Sequence, residues 1–508
     1  MFIREIKSKN KTYLHIIESF REDGKIKHRS IAALGCLDDL RNTDQLQRIA
    51  RALLKYSQHN PNLLDISTVE EKSRKRWGAV AVAAKLWKSF GLGELFASLI
   101  EKRKIQFEFF SAVFLMLLDR FREPKSKLKS YQQQDCYHGI IDVDLHNLYR
   151  ALDLLAESKQ SIEEYLFEKN ASLWNMKVDL VLYDVTTFYF ESVRADGMRE
   201  FGYGKDGNVN EVQVMLGLLT DMEGRPIGFD LFPGNICEGK TLEQALNKLS
   251  KRFKLGRLIL IADQAMFSQA NIQMIRDAGY EYIIGGRIKS RGQKIKDEIL
   301  DPAGYLQMSS KESEELFKVK TIKVGDDDLI CSWSKKRAEK DKRDRERLID
   351  KAKKIIEQKK GSIVSKRGAL KYIEINDKIT GKISEPKIAN DEQWDGYYGI
   401  QTNAKQITPE NLLGYYHNLW RIEESFRIFK SHLDARPVFH WTEKRINGHF
   451  VLCFIAFLLE RTLELELKRQ KIEYSPARIR KALDDLQYSE IVIEGKEFWV
   501  TSPVTGLA

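Results

Sequence analysis

The sequence predicts an α/β fold in which a mixed sheet is covered on both faces, and three observations lead to this prediction. From about residue 177, VDLVLYDVTTFYF is a nearly continuous apolar run rich in Val, Tyr, Phe and Thr, which is typical of a strand buried on both faces. EVQVMLGLLTD and PIGFDLFPGN follow, and because each ends in turn residues, they indicate an antiparallel meander. LGRLILIAD and YEYIIGG then flank a helix near 269–278, and this alternation indicates α/β packing. We assign 176–290 to the first part of this core.

The segment before the core is predicted to be a hairpin followed by helices. In residues 1–60, YLHIIESF and IKHRSIAAL flank the turn signal Asp23-Gly24, so residues 1–35 form a predicted β-hairpin, with a helix after it. Residues 61–175 have a helical pattern and are a candidate nucleic-acid-binding region. Within them, RWGAVAVAAKLWKSF and ELFASLIEKRK, joined at Gly91, form either a DNA-recognising helix-turn-helix or an ordinary helical hairpin.

The loop FREPKSKLKS concentrates positive charge in this helical region. It carries Arg122, Lys125, Lys127 and Lys129. These cations are expected either to contact phosphate groups or to form a solvated turn.

Residues 291–395 interrupt the core and are predicted to form an inserted domain. They contain the short strand candidates FKVKTIKV, LICSWS and ALKYIEI and the highly charged helix KKRAEKDKRDRERLIDKAKKIIEQKK. Mixed charges at close spacing usually mean a solvated helix with i,i+4 pairs, and contact with a DNA backbone is the alternative. Residues 396–508 resume the core with the strand DGYYGIQTN, long helices at 409–434 and 444–470, and a last hairpin at Glu494-Gly495.

The composition favours a nucleic-acid partner inside the cell. The 508 residues include 84 Lys and Arg against 73 Asp and Glu, and a net charge of +11 favours a polyanion. Five scattered cysteines without a Cys-x-x-Cys pair make a zinc site or a disulfide framework unexpected and suit a reducing cytosol. The N-terminus lacks the apolar run of a signal peptide, and the longest apolar run, Val451 to Leu459, is about half of what spans a bilayer. We expect a cytoplasmic protein without a membrane partner.

Two aspartates stand at strand positions where a charge is costly unless something compensates it. Asp184 sits inside LVLYDVTTF, and Asp263 sits at the end of LILIAD. A structural role is the alternative for each: Asp184 as a buried acid bonded to Thr186 or Thr187, and Asp263 as a helix cap. Two such acids in one α/β sheet favour function, because acids at the carboxyl ends of parallel strands project into the crevice where ligands bind.

A third acidic candidate lies on the predicted helix YYHNLWRIEESFRIFKSHLDARP. Tyr416, Glu423 and Lys430 are spaced by seven residues, almost two helical turns, so all three share one face. Leu419 and Arg427 border that face.

The alternative for this helix is simple amphipathic packing. Trp420, Phe426 and Phe429 would then lie in the core while Glu423 points to water. The helical pitch turns Glu424 about 100° away, so Glu424 is the weaker candidate of the adjacent pair.

Three carboxylates on rigid strands and a helix suit metal-dependent chemistry on phosphodiesters. Hard divalent cations such as Mg²⁺ prefer carboxylate oxygens and keep positions open for phosphate and water. Two such ions clamp the attacking and leaving oxygens of an in-line displacement. The nine histidines form no cluster beside a nucleophile elbow and no P-loop sequence is present, so Ser/His/Asp catalysis and ATP use are not indicated.

Four segments in order resemble the DDE transposases of bacterial insertion sequences, specifically insertion-sequence group four and its close relatives. They are YDVTTFYFES around Asp184, LGLLTDMEGRPIGFDLFPGN, LILIADQAMFSQANI around Asp263, and YHNLWRIEESFRIFKSHLDARPVFH around Glu423. In the last, Tyr416, Glu423 and Lys430 fall at the tyrosine, glutamate and lysine positions of the group's Y-R-E-K signature. The N-terminal hairpin and SKKRAEKDKRDRERLIDKA also resemble the group. The resemblance touches most of the chain and is strongest at about 178–290 and 395–445.

The resemblance implies an RNase H-like catalytic core, as in retroviral integrases. Asp184, Asp263 and Glu423 would be catalytic and would bind Mg²⁺ or Mn²⁺, as two ions, with Asp263 bridging both. Water would attack the phosphodiester at the element's ends to free 3′-hydroxyls, which would then attack target DNA in cut-and-paste transposition.

The resemblance also implies partners and contacts. The partner would be double-stranded DNA, both transposon ends and target, and the need to synapse two ends makes a homodimer the default expectation. Tyr416 and Lys430 would contact the terminal DNA. The inserted domain would help to position the ends, with Trp333 or Trp394 either stacking on a displaced base or packing within the insert.

Two departures from the group's pattern matter. Leu419 stands at the position of the signature arginine. Arg421 lies about 160° from Glu423 around the helix. Arg427 lies only about 40° from Glu423, so it is placed to reach the phosphate that the signature arginine would contact. Ala265 stands close behind the second aspartate, where relatives often have glycine.

Three functional hypotheses follow. The leading one is an active cut-and-paste transposase. The second is an RNase H-like nuclease without strand transfer, and the third is a transposase-derived DNA-binding protein that has lost catalysis. The intact acidic triad argues against the third, and the missing arginine argues for it.

Overall fold

The structure of the chain is a computed structural model. It describes residues 1–508 apart from 9, 57–68, 102, 175–178, 192–193, 203–210, 253–256, 264–265, 267, 310–315, 358–367, 375–380, 437, 494 and 505–508. The chain divides into two compact units, a smaller one of residues 1–73 and 489–500 and a larger one of residues 74–488 and 501–508.

Strands run through the whole chain. In chain order they are β1 (Phe2–Ser8), β2 (Lys11–Glu22), β3 (Lys25–Cys36), β4 (Glu70–Arg76), β5 (Leu180–Tyr189), β6 (Glu200–Phe201), β7 (Val212–Thr220), β8 (Pro226–Pro233), β9 (Ile259–Ala262), β10 (Glu281–Gly285), β11 (Leu306–Ser309), β12 (Leu316–Val324), β13 (Asp327–Ser334), β14 (Ile373–Glu374), β15 (Lys382–Ile383), β16 (Tyr397–Thr402), β17 (Gln487–Ile493) and β18 (Lys496–Thr501).

Helices cluster between β4 and β5 and after β16. In chain order they are α1 (Leu37–Asn42), α2 (Gln45–Leu54), α3 (Gly78–Ser89), α4 (Leu92–Ile100), α5 (Phe109–Arg122), α6 (Lys127–Gln132), α7 (Leu145–Glu157), α8 (Lys159–Trp174), α9 (Glu238–Arg252), α10 (Gln269–Asp277), α11 (Gln293–Leu300), α12 (Lys335–Glu357), α13 (Glu385–Glu392), α14 (Pro409–His417), α15 (Trp420–Arg427), α16 (Glu443–Arg469) and α17 (Pro476–Asp485). Short 3₁₀ turns occupy Gln134–Cys136, Ile288–Ser290 and Gly368–Tyr372, and a π-helix occupies Ile428–His432.

The smaller unit begins with a three-stranded antiparallel sheet in the order β1-β2-β3. The predicted hairpin is confirmed as β2 and β3, and its turn has positive φ at both Asp23 (52°) and Gly24 (75°), the backbone that a two-residue hairpin turn requires. The prediction missed β1, because a run exposed along its whole length carries no burial pattern. Helices α1 and α2 cover one face of the sheet, around Leu14 and Leu40.

A second three-stranded sheet, in the order β18-β17-β4, belongs mostly to the same unit. Strands β17 and β18 flank Gly495, whose φ is 77°, as the predicted last hairpin requires. Glu494, the other residue of that turn signal, lies outside the described residues. The pairing of β4 with β17 joins two segments that are far apart in the sequence.

The larger unit is built on one mixed sheet, in the order β11-β12-β13-β16-β10-β9-β5-β7-β6, with β8 paired to β7. Strands β5, β7 and β8 form the predicted antiparallel meander. Strand β9 then pairs parallel to β5, and β10 pairs parallel to β9. The predicted mixed α/β sheet is therefore confirmed.

Both faces of the central strands are buried, and alternate side chains serve different cores. On β5, Leu182 and Phe188 face the core formed with α5, α7 and α16. Tyr183 and Val185 face a second core formed with α9 and α10. This alternation explains why the strand has a continuous apolar run in which Asp184 stands out.

The predicted helical region forms part of the same core as the sheet. Its helices α5 and α7 pack against α16, whose residues 446 and 448–462 are buried. The apolar run Val451 to Leu459 is therefore the centre of a core helix. In the described part of the chain, no helix is long and apolar enough to cross a membrane.

Helices α3 and α4 form a helical hairpin around Phe90 and Gly91. Phe90 and Phe96 are fully buried in the main core, so packing explains the apolar residues of the segment. Gly91 has a φ of 62°, and the Tyr165 hydroxyl donates to its carbonyl at 3.0 Å, which leaves no room for a side chain. Of the two interpretations of this segment, the ordinary hairpin accounts for its residues.

The cationic loop between α5 and α6 differs from both of its predicted roles. Arg122, Lys125 and Lys127 are 8%, 6% and 5% exposed, so they are neither a solvated turn nor an open phosphate contact. The Lys125 amino group lies 3.6 Å from the Asp119 carboxylate. Lys129, with half of its side chain exposed, is the member of the four that faces solvent.

The predicted inserted domain does not stand apart from the core. Strands β11, β12 and β13 are antiparallel to one another, and β13 pairs with β16, which itself pairs with β10. The main-chain hydrogen bonds of the sheet therefore continue through the insert. Sequence patterns predicted β12 and β13 but not β11. They could not show which edge of the sheet these strands would extend, because that depends on pairing with β16.

The rest of the insert follows the prediction in part. The charged segment forms the 23-residue helix α12, as predicted. ALKYIEI, predicted as a strand, is instead a 3₁₀ turn at Gly368–Tyr372 followed by the two residues of β14. Tyr372 is buried against α12, and Ile375, the last residue of the predicted strand, lies outside the described residues.

Candidate active site

Strand β5 carries Asp184 in the middle of buried neighbours. Asp184 is half-buried, whereas Tyr183 and Val185 on either side are fully buried. The Val185 backbone N–H donates to the Asp184 Oδ1 at 2.8 Å, which orients the carboxylate. The side chain is thus held rigidly and remains accessible.

Asp263 directly follows β9, the strand parallel to β5. Tyr183 pairs with Ala262 in this register, so Asp184 and Asp263 are the next residues on two neighbouring parallel strands. Asp263 is exposed. Ala265, which departs from the family pattern, lies outside the described residues. The strand register therefore places the two aspartates side by side on neighbouring strands.

The helix predicted at 409–434 is three shorter elements. Helix α14 begins after Thr408, whose hydroxyl accepts from the Asn411 N–H, and α15 begins only at Trp420. Between them the amides of Leu419, Arg421 and Ile422 bond to the carbonyls three residues earlier, which tightens the turn.

After α15 the chain widens into the π-helix at Ile428–His432. Neither the tight turn nor the wide one keeps the 100° step on which the predicted common face of Tyr416, Glu423 and Lys430 depended. The single-helix prediction is therefore wrong.

One cleft nevertheless unites several of the predicted residues. Asp184, Glu423, Arg427 and Lys430 line a cleft with a volume of about 400 Å³. The remaining lining residues are Val185, Thr186, Phe426, Ser431 and Arg436. Two carboxylates and three cations thus line the same cleft.

Asp263, the remaining predicted metal ligand, is not among the residues that line this cleft. Asp263 is next to Asp184 by strand register, whereas Glu423 shares the cleft with Asp184. Within the described ranges, no three His, Cys, Asp or Glu side chains are close enough to hold one metal ion together. Asp184 is therefore the acid that is related to both of the others: it neighbours Asp263 in the sheet, and it lines the cleft with Glu423.

Glu424 faces a different environment from its neighbour Glu423. Its carboxylate lies 3.3 Å from the Arg461 Nη2 and 3.6 Å from the Arg427 Nη2. The Arg461 side chain is only 7% exposed, so Glu424 pairs with a buried charge. Glu423 is the exposed member of the pair and lines the cleft.

Tyr416 lies near Asp263 and outside the cleft lining. Its ring centroid is 5.8 Å from that of Tyr398, and the two phenols share a hydrogen bond. Burial raises the pKa of the Tyr416 hydroxyl, and the charge of Asp263 adds to the rise. The Arg337 guanidinium lies 4.5 Å from the Tyr398 ring centroid, which brings the start of α12 to the same place.

Leu419 is apolar and packs against the main core. The Arg421 guanidinium lies 5.0 Å from the Trp420 ring centroid and bonds to the Asn418 side chain at 3.4 Å. Neither residue therefore places a cation in the cleft.

The two tryptophans considered for base stacking are engaged in packing or bonding. Trp394 is 4% exposed within the core of the insert. The Trp333 indole N–H donates to the Asp395 carbonyl at 3.1 Å.

Sequence reasoning missed Arg436 as a cleft residue. It follows the helical segment by several residues, so no helical spacing connects it with Glu423 or Lys430. The one signal in the sequence was that Arg436 lies in the segment YHNLWRIEESFRIFKSHLDARPVFH, which also contains Lys430.

Two family models match the chain. The model of the transposase DDE domain matches residues 177–459, and that of the N-terminal domain of IS1634 family transposases matches residues 3–63. No curated protein matches the chain. The narrower assignment to insertion-sequence group four stays a prediction.

Solved structures with some similarity are also transposases. A piggyBac transposase synaptic complex with hairpin DNA has 9% identity and a TM-score of 0.39, and the alignment covers 80% of this chain and 79% of that one. The Mos1 strand transfer complex has 12% identity and a TM-score of 0.16, covering 36% and 60%. A Mos1 paired-end complex with Mn has 14% identity and a TM-score of 0.15, covering 46% and 71%.

Proposed function

The chain belongs to the DDE transposases, whose domain model matches more than half of it, and we propose that Asp184, Asp263 and Glu423 are its catalytic carboxylates. DDE transposases move DNA by cleaving strands and transferring them, in a reaction that needs divalent metal ions, and their core is RNase H-like. The observation that carries the residue assignment is the shared position of Asp184. It lies beside Asp263 in the sheet and lines the same cleft as Glu423.

The donor atoms of the site suit hard divalent cations. Asp184, Asp263 and Glu423 offer carboxylate oxygens, and the cleft lining in the described part of the chain has no Cys or His. Such a set favours Mg²⁺ or Mn²⁺ over Zn²⁺. We propose two ions, one held by Asp184 with Asp263 and one by Asp184 with Glu423. Asp184 would then be the ligand common to both ions, a role that the sequence-based expectation gave to Asp263.

The cations of the cleft are proposed to hold the DNA strand that reacts. Lys430 is half-buried and Arg427 is exposed, and both line the cleft with Asp184 and Glu423. Side chains of this kind bind phosphate oxygens and fix the position of the DNA strand. Tyr416 lies beside Asp263, where its hydroxyl is placed to contact DNA that passes the second aspartate.

The proposed reaction is two in-line displacements at phosphorus. In the first, a water oxygen bonds to the phosphorus at the end of the element, and the departing 3′-oxygen takes up a proton. In the second, that 3′-hydroxyl loses its proton and bonds to a phosphorus of target DNA, whose own 3′-oxygen departs and takes up a proton. The metal ions would stabilise the attacking and leaving oxygens. The three carboxylates keep the site negatively charged, and Lys430 and Arg427 hold the phosphate backbone against that charge.

The partner is DNA, and we propose that the protein acts on both ends of its element as a homodimer. Two ends must be brought together before joining, and a symmetric pair of protomers is the simplest arrangement that does so.

Cleavage assays with purified protein test this function. Labelled duplexes carrying the sequences that flank the reading frame are incubated with Mg²⁺ or Mn²⁺. Cleavage followed by joining to a target plasmid is expected. Cleavage without joining would support a nuclease, and binding without cleavage would support a transposase-derived DNA-binding protein.

Metal binding provides a readout independent of activity. Titration with Mn²⁺, followed by electron paramagnetic resonance, should show two sites in the wild type. Asp184→Asn should weaken both, whereas Asp263→Asn and Glu423→Gln should each weaken one. Glu473→Gln, which removes an exposed carboxylate outside the cleft, is the matched control. If Asp263→Asn alone weakened both sites, Asp263 would be the bridging ligand.

A further inference from the structure

Arg436 is a cation of the cleft that follows the π-helix. It is half-buried and lines the cleft with Asp184, Glu423 and Lys430. It therefore approaches the carboxylates from a different chain segment than Arg427 and Lys430 do.

The backbone on either side of Arg436 is anchored to the core. The Ala435 amide donates to the Phe429 carbonyl at 3.1 Å, and the Val438 amide donates to the Tyr189 carbonyl at 3.1 Å. Ala435 and Val438 are both buried. The first bond ties the segment to the π-helix, and the second ties it to the end of β5, the strand of Asp184.

A buried arginine forms hydrogen bonds to the turn that precedes Arg436. Arg120, 7% exposed, donates to the Leu433 carbonyl at 2.6 Å and to the Asp434 carbonyl at 2.9 Å. Asp434 has a φ of 44°, the left-handed backbone that reverses the chain here. The path into Arg436 is therefore fixed by side-chain bonds as well as by packing.

An aromatic ring further restricts the side chain of Arg436. Its guanidinium carbon lies 5.5 Å from the ring centroid of Tyr189, at the end of β5. A cation–π contact of this kind restricts the side chain, and a group that is already restricted loses less entropy when it binds a ligand. The guanidinium is thus held near the Tyr189 ring while Arg436 lines the cleft with Asp184 and Glu423.

We propose that Arg436 binds a phosphate group of the DNA strand in the cleft, as the cation that Leu419 does not provide. This inference rests on the proposed function. A guanidinium stays charged at all accessible pH values, and its planar fork matches two phosphate oxygens. Leu419 packs against the core, so this chain draws the cation from the segment after the signature helix.

The other two arginines of the segment are less suited to this task. Arg427 has 68% of its side chain exposed, so its guanidinium is less restricted than that of the half-buried Arg436. Arg421 lies over Trp420, outside the cleft lining. Arg436 combines a lining position with an anchored backbone.

A coupling experiment tests the proposal. Binding of the end duplex is measured without metal for the wild type, Arg436→Gln, Arg436→Lys and the control Arg421→Gln, which removes one charge from the neighbouring helix. Duplexes then carry a single neutral methylphosphonate at each position around the cleavage site in turn. Thermal unfolding of each variant reports whether it is folded, and cleavage is measured in Mg²⁺.

One phosphate should be coupled to Arg436. Its neutralisation should weaken wild-type binding about tenfold, the size expected for one charge-assisted contact, and should leave Arg436→Gln almost unaffected. The slope of log affinity against log salt should fall by about one in Arg436→Gln and remain unchanged in Arg421→Gln. Arg436→Lys keeps a positive charge and should retain part of the coupling. It replaces Arg436→Gln in the test if the glutamine variant does not fold.

The proposal would be overturned if the effects of Arg436→Gln and of the methylphosphonate were additive at every position. It would also be overturned if Arg436→Gln bound and cleaved DNA as well as the wild type does. These results would leave the proposed function intact, because the wild type would still cleave. A wild type that cleaves no end duplex would instead overturn the proposed function and this inference with it.

Discussion

The Glu424 carboxylate lies 3.3 Å from the buried Arg461 guanidinium, and this pair joins α15 to the core helix α16. Arg461 also lies 3.0 Å from Glu464 on its own helix. Glu423, one residue earlier, faces the cleft with Asp184. Adjacent glutamates thus have different tasks: Glu424 fixes the helix that presents Glu423.

Exchanging the two glutamates for glutamine should separate these tasks. Glu423→Gln should lower metal affinity and cleavage by at least about a hundredfold, since even outer-shell changes at metal sites reach that size. It should leave the unfolding temperature nearly unchanged, because Glu423 is exposed. Glu424→Gln should retain Mn²⁺ binding and lower the free energy of unfolding by about 1–3 kcal/mol, since Arg461 loses a charged partner. Calorimetric titration and urea unfolding measure the two effects, and equal loss of metal affinity in both variants would contradict this division.

Restoring an arginine at the signature position should not raise activity. In Leu419→Arg the new charge replaces a side chain that packs on the core, so we expect a lower unfolding temperature and unchanged or lower cleavage. Leu419→Met, which preserves apolar packing, is the control. A clear gain in cleavage by Leu419→Arg would show that the cleft lacks a cation even with Arg436 present.

Glu464 should make the protein less stable as pH rises. Burial raises the pKa of its carboxyl to about 7, against the opposing effect of Arg461. Between about pH 4.5 and 7 the folded chain holds a proton that the unfolded chain has lost, so its contribution is complete at the lower pH and disappears as pH rises through 7.

The variant Glu464→Gln should remove this dependence. At pH 7.5 it should raise the free energy of unfolding by up to about 3 kcal/mol relative to the wild type, with little difference at pH 4.5. Urea unfolding across that range measures the effect. Glu466→Gln, at a partly exposed position on the same helix, should give parallel curves. Parallel curves for Glu464→Gln would contradict the prediction.

Lys127 should have the opposite pH dependence. Burial lowers the pKa of its amino group to about 7, and Arg120 beside it adds to the lowering. Between pH 7 and 10.5 the unfolded chain binds the proton that the folded chain has released, so the free energy of unfolding rises with pH. Lys127→Met should stabilise the protein by a few kcal/mol at pH 7 and abolish this slope. Lys129→Met, at a half-exposed position, should change neither the stability at pH 7 nor its slope with pH. An unchanged slope in Lys127→Met would contradict the argument.

The sequence alone predicted the elements whose signals are local. The apolar runs of β5, β7, β8 and β9 gave the mixed sheet, because strands buried on both faces require apolar residues at every position. Asp184 and Asp263 stood out as acids in those runs. The charged helix α12 and the hairpin at Asp23-Gly24 depend on spacing and turn chemistry within a few residues, so they were also predicted.

The tertiary structure decided what depends on contacts between distant residues. Lys125 and Lys127 look like solvent-facing cations in the sequence, and only their packing beside Asp119 and Arg120 buries them. The helix at 409–434 is continuous by pattern, yet its turns tighten at Leu419 and widen after Ile428.

The cleft shows the same division. Sequence spacing connected Glu423 with Lys430, because both lie in one segment. It did not connect either with Arg436, whose place depends on a bond from Val438 to the end of β5. Local patterns determine which residue types this chain presents, and main-chain pairing across long separations determines which of them meet in the cleft.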